Sequence, residues 1–322
     1  VLIYVESLET TYSDKKIFSL DLLHELTRLK SNHISFSSYK QMSGTGWTIA
    51  GIVSTQCGIP LKQLTIFGKN REGGMVSNFL PQATCLGDIL ADQGYYNVFM
   101  NGVSAKFDGE DKFFEDHHYN EIYGKKQWLD QGIPEAEMSG WGLHDDDLFN
   151  FAKLKLEKLI SEQRLFNLTI QTIDTHGHEG VLSNTCKKPG FVDFEGIVEC
   201  TANQLADFVN FVDKKGWLNK VSIVIVGDHL AMRNVVYDKI SQEKNRSIYN
   251  LIVTKQHRRK NTDEIVHFDI LPTILDVIGI HYHGQQLGLG YSALAPYSIK
   301  PVNRISDMQE GLDQHSEYYS IL

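Results

Sequence analysis

The chain is short of cysteine, proline and long apolar runs: 322 residues hold only four cysteines and seven prolines. Cys57, Cys85, Cys186 and Cys200 form no C-x-x-C pair, which speaks against a zinc ribbon or a thioredoxin-like site. No stretch reaches the roughly 18 consecutive apolar residues that span a bilayer. Positive charge is scarce as well. Against 40 Asp and Glu stand 31 Lys and Arg, a net charge of −9. Such a chain does not bind nucleic acid through a basic surface, and it is a poor match for anionic lipid headgroups. Three catalytic signatures are missing too. There is no G-x-S-x-G elbow of an α/β-hydrolase and no G-x-x-x-x-G-K-[ST] phosphate loop. Cys57-Gly58-Ile59-Pro60 is not the C-x-P-x-R sequence that yields a formylglycine nucleophile.

What is present reads as an α/β protein. Hydrophobic residues make up 42% of the chain, enough to build the core of one large domain or two. The chain opens inside a strand pattern, without Met or a signal-peptide pattern, as an excised or processed domain would. Val1–Val5, His33–Ser37, Tyr96–Met100, Leu168–Ile173, Val221–Val226 and Tyr249–Val253 read as strands. Helical patterns open at Asp21 and near Thr48, and cover Leu86–Asp92, Asp145 to Ser161, Ile197–Lys214 and Phe268–Ile278, the last interrupted early by Pro272. This alternation predicts a mostly parallel central sheet with helices on both faces. The polar segments 104–144 and 177–196 read as long functional loops. A catalytic domain is expected over 1–280. Residues 281–322, with Gly284, Gly288 and Gly290, read as a C-terminal extension or small subdomain.

The chemistry gathers where apolar runs stop. Glu6 ends the first strand, and Asp228-His229 end the run Val221–Gly227. In an open α/β sheet, ligands collect outside the carboxyl ends of the strands. Carboxylates suit hard cations, and an acid–imidazole pair suits Mn²⁺ or Zn²⁺. Each also has a plainer reading, as a cap, an ion pair or a satisfied polar turn. Thr48 follows Gly44, Gly46 and Trp47 at the start of a helical pattern. A helix beginning there would aim free N–H groups at a phosphate. Its hydroxyl needs a base or a metal before it can attack. Asp174-Thr175-His176-Gly177-His178 follows another strand. His176 suits donation to a phosphoryl oxygen or protonation of a leaving alkoxide, or a supporting place behind such a group. His178 completes an H-x-H pair of low specificity. Asp145-Asp146-Asp147 reads as a solvated helix start. Four cysteines allow three pairings, of which proximity favours Cys57–Cys85 and Cys186–Cys200; four buried thiols are the alternative.

Blocks in a fixed order carry a family resemblance. They are Tyr4-Val5-Glu6-Ser7-Leu8-Glu9-Thr10-Thr11-Tyr12, Gly44-Thr45-Gly46-Trp47-Thr48-Ile49-Ala50-Gly51 and Gln56-Cys57-Gly58-Ile59-Pro60-Leu61. Next come Cys85-Leu86-Gly87-Asp88-Ile89-Leu90, Trp141-Gly142 with Asp145-Asp146, and Asp174-Thr175-His176. Asp228-His229-Leu230-Ala231-Met232 and Leu287-Gly288-Leu289-Gly290 complete the series. Together they resemble the sulfatase-like transferase branch of the alkaline phosphatase superfamily. The likeness is to the phosphoglycerol transferases of bacterial periplasmic glucans and, more distantly, to lipoteichoic acid synthases.

The resemblance implies that Glu6, Thr48, Asp228 and His229 hold one Mn²⁺ or Mg²⁺, with Zn²⁺ less favoured. Thr48 would be the nucleophile and His176 would contact the phosphoglycerol group. Trp47, Asn101, Lys106, Phe107 and His178 are further candidates for contact with substrate. The donor implied is phosphatidylglycerol or another phosphoglycerol carrier, the acceptor a periplasmic glucan or other surface glycan. Export to the periplasm behind membrane helices is implied as well, and with it the two disulfides. A phosphoethanolamine transferase or a phosphodiesterase would use the same scaffold; a non-catalytic glycan-binding domain is the remaining alternative. One departure stands out. Lipoteichoic acid synthases bring a Trp and an Arg to the phosphoglycerol head from the loop after a middle strand. Here that loop reads Lys106-Phe107-Asp108-Gly109, which keeps an aromatic and loses the Arg. His267-Phe268-Asp269-Ile270-Leu271-Pro272-Thr273 resembles an H-x-D-x-x-P-T segment of the wider superfamily, which puts His267 near the site or at a helix cap.

Overall fold

The computed structural model describes residues 1–62, 76–187, 193–256, 259–284, 286–294 and 303–317. Its strands are β1 (Leu2–Val5), β2 (Ser38–Lys40), β3 (Tyr96–Asn101), β4 (Glu121–Tyr123), β5 (Phe166–Gln171), β6 (Ile223–Gly227), β7 (Asn250–Val253), β8 (Glu264–Val266), β9 (Gln286–Leu287) and β10 (Gly290–Tyr291). A six-stranded sheet runs in the order β4-β3-β5-β1-β6-β7. Every neighbouring pair in it is parallel except β6 and β7. β2 pairs with β8, and β9 with β10, in two small separate ladders.

Central strands of a parallel sheet are covered on both faces and so read as continuous apolar runs. β1 and β6, Leu-Ile-Tyr-Val and Ile-Val-Ile-Val-Gly, are buried at every position. Alternate side chains go to opposite layers. Ile3, Val5, Ile170, Ile223 and Ile225 pack with the helices His24–Lys30, Asp145–Ser161 and Phe194–Lys214. Leu2, Tyr4, Phe99, Val224 and Val226 pack with Thr48–Cys57, Leu86–Asp92 and Ile270–Ile278. Helices therefore cover both faces, as the alternation of patterns predicts.

The differences in detail have physical causes. No strand forms over His33–Ser37. The Asn250 side chain holds both main-chain groups of Phe36, at 2.7 and 2.9 Å, and regular pairing begins only at Ser38. β5 stops two residues before the expected Ile173, whose N–H donates to Asp145 Oδ1 at 2.8 Å. Segment 104–144 is no loop throughout, since it contains the helix Glu110–Asp116, β4 and the helix Lys125–Asp130. Pro272 falls in the first turn of Ile270–Ile278, where its missing N–H costs nothing.

Both expected disulfides are present. Cys57–Cys85 ties the end of the Thr48–Cys57 helix to the residue before the Leu86–Asp92 helix, and Cys186–Cys200 fastens a loop to Phe194–Lys214. The helix Arg304–Leu312 is anchored through a buried Arg304 fork on Asp269, at 2.6 and 3.0 Å. Among the described residues no helix is long and apolar enough to cross a membrane.

Candidate active site

Parallel strands bring their carboxyl ends to one edge, and four of them deliver the site. Glu6 follows β1, Asp228 and His229 follow β6, Asn101 closes β3, and Thr172 to His176 follow β5. The fifth contributor is the helix Thr48–Cys57, whose first residue is Thr48. Thr48 Oγ1 donates to Glu6 Oε2 at 3.2 Å. Donor atoms of Glu6, Asp228 and His229 all lie within 4.8 Å of one another, and all three residues are buried.

Main-chain geometry holds each donor in place. Ser7 adopts a left-handed conformation (φ 55°), so that its N–H donates to Asp228 Oδ1 (2.8 Å) and its hydroxyl to Glu6 Oε1 (2.7 Å). The His229 N–H also donates to Asp228 Oδ1, at 2.8 Å. Gly51 lets the Thr48–Cys57 helix approach the turn that carries Asp228; a Cβ there would sit 2.1 Å from the Asp228 carbonyl oxygen. His267 donates from Nε2 to that same carbonyl at 2.8 Å. It is thus a buttress behind the site, and burial pushes its imidazole down to about 3, so it stays neutral.

The donor set fits a divalent cation. His229 Nδ1 donates to the Leu230 carbonyl at 2.8 Å, which leaves the lone pair on Nε2. That nitrogen is buried without a hydrogen-bond partner, 3.5 Å from Glu6 Oε1 and 3.6 Å from Asp228 Oδ2. Two carboxylates and a bare lone pair facing one point repel unless a cation lies between them. The carboxyls respond to this crowding. Burial, then the Glu6 charge, pushes Asp228 up to about 7. Burial also works against the Glu6 charge, but in the ion-free protein the positive charge of a protonated His229, then of His176, and the Ser7 hydroxyl outweigh it and hold that carboxyl below its ordinary value. A cation would take the place of the proton on His229 Nε2.

Beside these donors lies a small cavity whose lining includes Thr48, Asn101, Phe107, Glu110, Gln171 and His176. His176 Nδ1 has no partner, and the ring packs edge-on against Trp141 with centroids 4.4 Å apart. Lys106 and His178 are exposed and lie outside the lining, and Trp47 is buried in the core beneath the helix start.

Sequence reasoning missed two acids. Asp108 is buried in a left-handed conformation (φ 55°), and neither carboxylate oxygen has a partner. Burial, then the nearby Glu6 charge, pushes it up to about 7. Buried Glu110, raised well above its usual value by burial and then by Asp108, accepts from Asn101 Nδ2. In sequence both look like ordinary loop acids, and only the preceding apolar strand hinted otherwise. Asp145 also departs from expectation. It is not a solvated helix start but fully buried, accepting from the N–H groups of Ile173 (2.8 Å) and Asp174 (3.0 Å) just before His176.

The sulfatase family model matches residues 1–280. The chain belongs to that family. This sulfatase-family chain is 35% identical over 310 residues to phosphoglycerol transferase I of Escherichia coli O6:K15:H31, which covers 94% of this chain and 40% of that protein. It therefore spans about two fifths of the length of the curated relatives it matches. Its fold is also that of lipoteichoic acid synthase LtaP from Listeria monocytogenes, with a TM-score of 0.65, 16% identity, and 89% and 73% of the two chains covered. The Streptococcus pyogenes phosphoglycerol transferase GacH, in complex with sn-glycerol-1-phosphate, shares it at a TM-score of 0.60 and 15% identity, over 97% and 84% of the chains.

Proposed function

We propose that this domain transfers a phosphoglycerol group from a phosphodiester donor, phosphatidylglycerol, to a hydroxyl of a periplasmic glucan or other surface glycan. The observation that carries it is the Thr48 hydroxyl, 3.2 Å from Glu6 at a helix N-terminus, among three converging metal-type donors. The similarity to proteins named phosphoglycerol transferase I supports the group transferred. A sulfatase's formylglycine chemistry is disfavoured, because no C-x-P-x-R cysteine exists.

Glu6, Thr48, Asp228 and His229 would hold one divalent ion, Mn²⁺ or Mg²⁺ before Zn²⁺, which would lower the pKa of the Thr48 hydroxyl and offset phosphoryl charge. Glu6 orients that hydroxyl. As Glu6 takes the hydroxyl proton, Thr48 Oγ1 attacks phosphorus, and the bond from phosphorus to the leaving alkoxide breaks. His176 gives the alkoxide its proton, so diacylglycerol departs. Glycerophospho-Thr48 remains, facing the helix N–H groups. A glycan hydroxyl then attacks the same phosphorus, His176 takes its proton, and Thr48 is released, regaining its own proton from Glu6. The two disulfides suit an oxidising compartment, which supports a domain facing the periplasm.

A second reading is favoured by one observation. Glu110 lines the cavity, Asp108 is buried two residues before it, and no Lys or Arg lines the cavity among the described residues. An ammonium-bearing headgroup, as in a phosphoethanolamine donor, would meet those acids well. Intact-mass measurement on enzyme quenched with donor but no acceptor separates the two. A glycerophosphate adduct on Thr48 supports the first reading, and a phosphoethanolamine adduct the second. Thr48→Ala should lower turnover at least about 10³-fold with an unchanged circular-dichroism spectrum. Wild-type turnover by that variant would sink the nucleophile assignment.

A further inference from the structure

Trp141 is one of the few large apolar side chains left at the surface, and it is 41% exposed. It stands at the mouth of the cavity that holds Thr48. Its ring meets His176 edge-on at 4.4 Å and Phe107 at 6.3 Å between centroids. The turn that carries it is fixed. Ser139 Oγ accepts from the N–H groups of Trp141 (3.2 Å) and Gly142 (3.1 Å). The Leu143 N–H donates to the Gly102 carbonyl at 2.9 Å, just past the end of β3. Gly142 (φ 151°) packs so tightly there that a Cβ would lie 2.1 Å from that carbonyl oxygen. The indole is therefore presented to solvent by a braced turn instead of folding into the core.

An immobilised, half-open indole has already lost its rotamer freedom, so a ligand stacking on it loses little more. The adjoining cavity narrows the ligand class. Asn101 Oδ1 and Gln171 Oε1 are buried acceptors without partners, and Glu110 lies beside them. Those groups want hydroxyl donors. A pyranose ring offers a face of C–H groups for an aromatic and a rim of hydroxyls for such acceptors, and it carries no charge to offend the acids.

We infer that Trp141 is the platform on which a sugar ring of the accepting glycan stacks, so that its hydroxyl faces phosphorylated Thr48. This rests on the reading that the acceptor is a glycan. A rival surface exists, because Met232 and Val235 are 47% and 49% exposed and the Val235 N–H donates to the His178 carbonyl. These residues with Trp141 would suit a lipid surface, and the test separates the two.

The test uses the whole chain with dihexanoyl-phosphatidylglycerol as a water-soluble donor and a neutral β-glucan oligosaccharide as acceptor. Trp141→Ala should raise KM for the glucan at least about fivefold, and by a clearly larger factor than it changes kcat or the KM for donor, since the indole also packs on His176. Trp141→Phe should recover most of the loss. An unchanged glucan KM overturns the inference. So does a defect confined to donor presented in phosphatidylglycerol vesicles, which would assign Trp141 to the lipid surface. A wild-type enzyme that cleaves donor but never loads glucan would overturn the glycan-acceptor reading and this inference with it. A normal wild type beside an indifferent variant sinks the platform alone.

Discussion

Asp108 stores a cost that a single substitution should expose. Its carboxyl is buried, unpartnered and pushed up to about 7. A raised carboxyl means that the folded chain binds more protons than the unfolded one between the ordinary value near 4 and that raised value. Its contribution is thus favourable at low pH and is lost as pH rises through about 7. Asp108→Asn should flatten that fall in metal-free buffer, leaving the variant more stable than wild type at pH 8 by roughly 1–3 kcal/mol. Urea midpoints at pH 5 and pH 8 would show it; parallel curves for the two proteins would refute it. Function supplies the reason to keep such a group, since buried unpaired acids cluster where ligands bind.

The helix Thr48–Cys57 carries the proposed nucleophile, Thr48, at one end and a disulfide at the other. Every residue in it is buried, so it is wedged between the sheet and its neighbours more than held by its own propensity. Cys57–Cys85 stops its far end from sliding. Replacing both cysteines with Ser should cost about 2–4 kcal/mol. Turnover should fall as well, because Thr48 would no longer be held against Glu6. A melting curve and a rate at one temperature decide it, and unchanged values for both would deny the helix its anchor. This element was legible in sequence from its apolar spacing and the glycines before it. The strand at Ser38–Lys40 was not, because a side chain, Asn250, fixes where pairing begins, and that residue lies more than two hundred positions away. The buried role of Asp145 was hidden for the same reason, since its partners are main-chain N–H groups of another element.

At the scale of the whole molecule, the sheet and the convergence of Glu6, Asp228 and His229 were legible together, because both follow from one pattern, an apolar run that ends in a polar side chain. The sequence could not disclose Glu110 at the cavity or the buried Asp108 two residues before it. Asp108 and Glu110 sit in a polar segment where burial leaves no periodic trace. The clustering of Glu6, Asp228 and His229 leads to a prediction for the entire fold. Exhaustive chelation should lower the melting temperature by several degrees, and Mn²⁺ should restore it by mass action on the native state. Calorimetry with and without chelator checks this, and identical traces would count against a resident ion.

β1 and β6 lie more than two hundred residues apart in the chain and pair in register, Val5 against Gly227. Glu6 and Asp228 meet only because of that pairing. An unfolded chain cannot gather these donors cheaply, since a closing loop of that length must form first. Capture of the proposed ion would therefore wait for a contact between strands more than two hundred residues apart. It would be a late latch, slowing escape from the native state without hastening arrival.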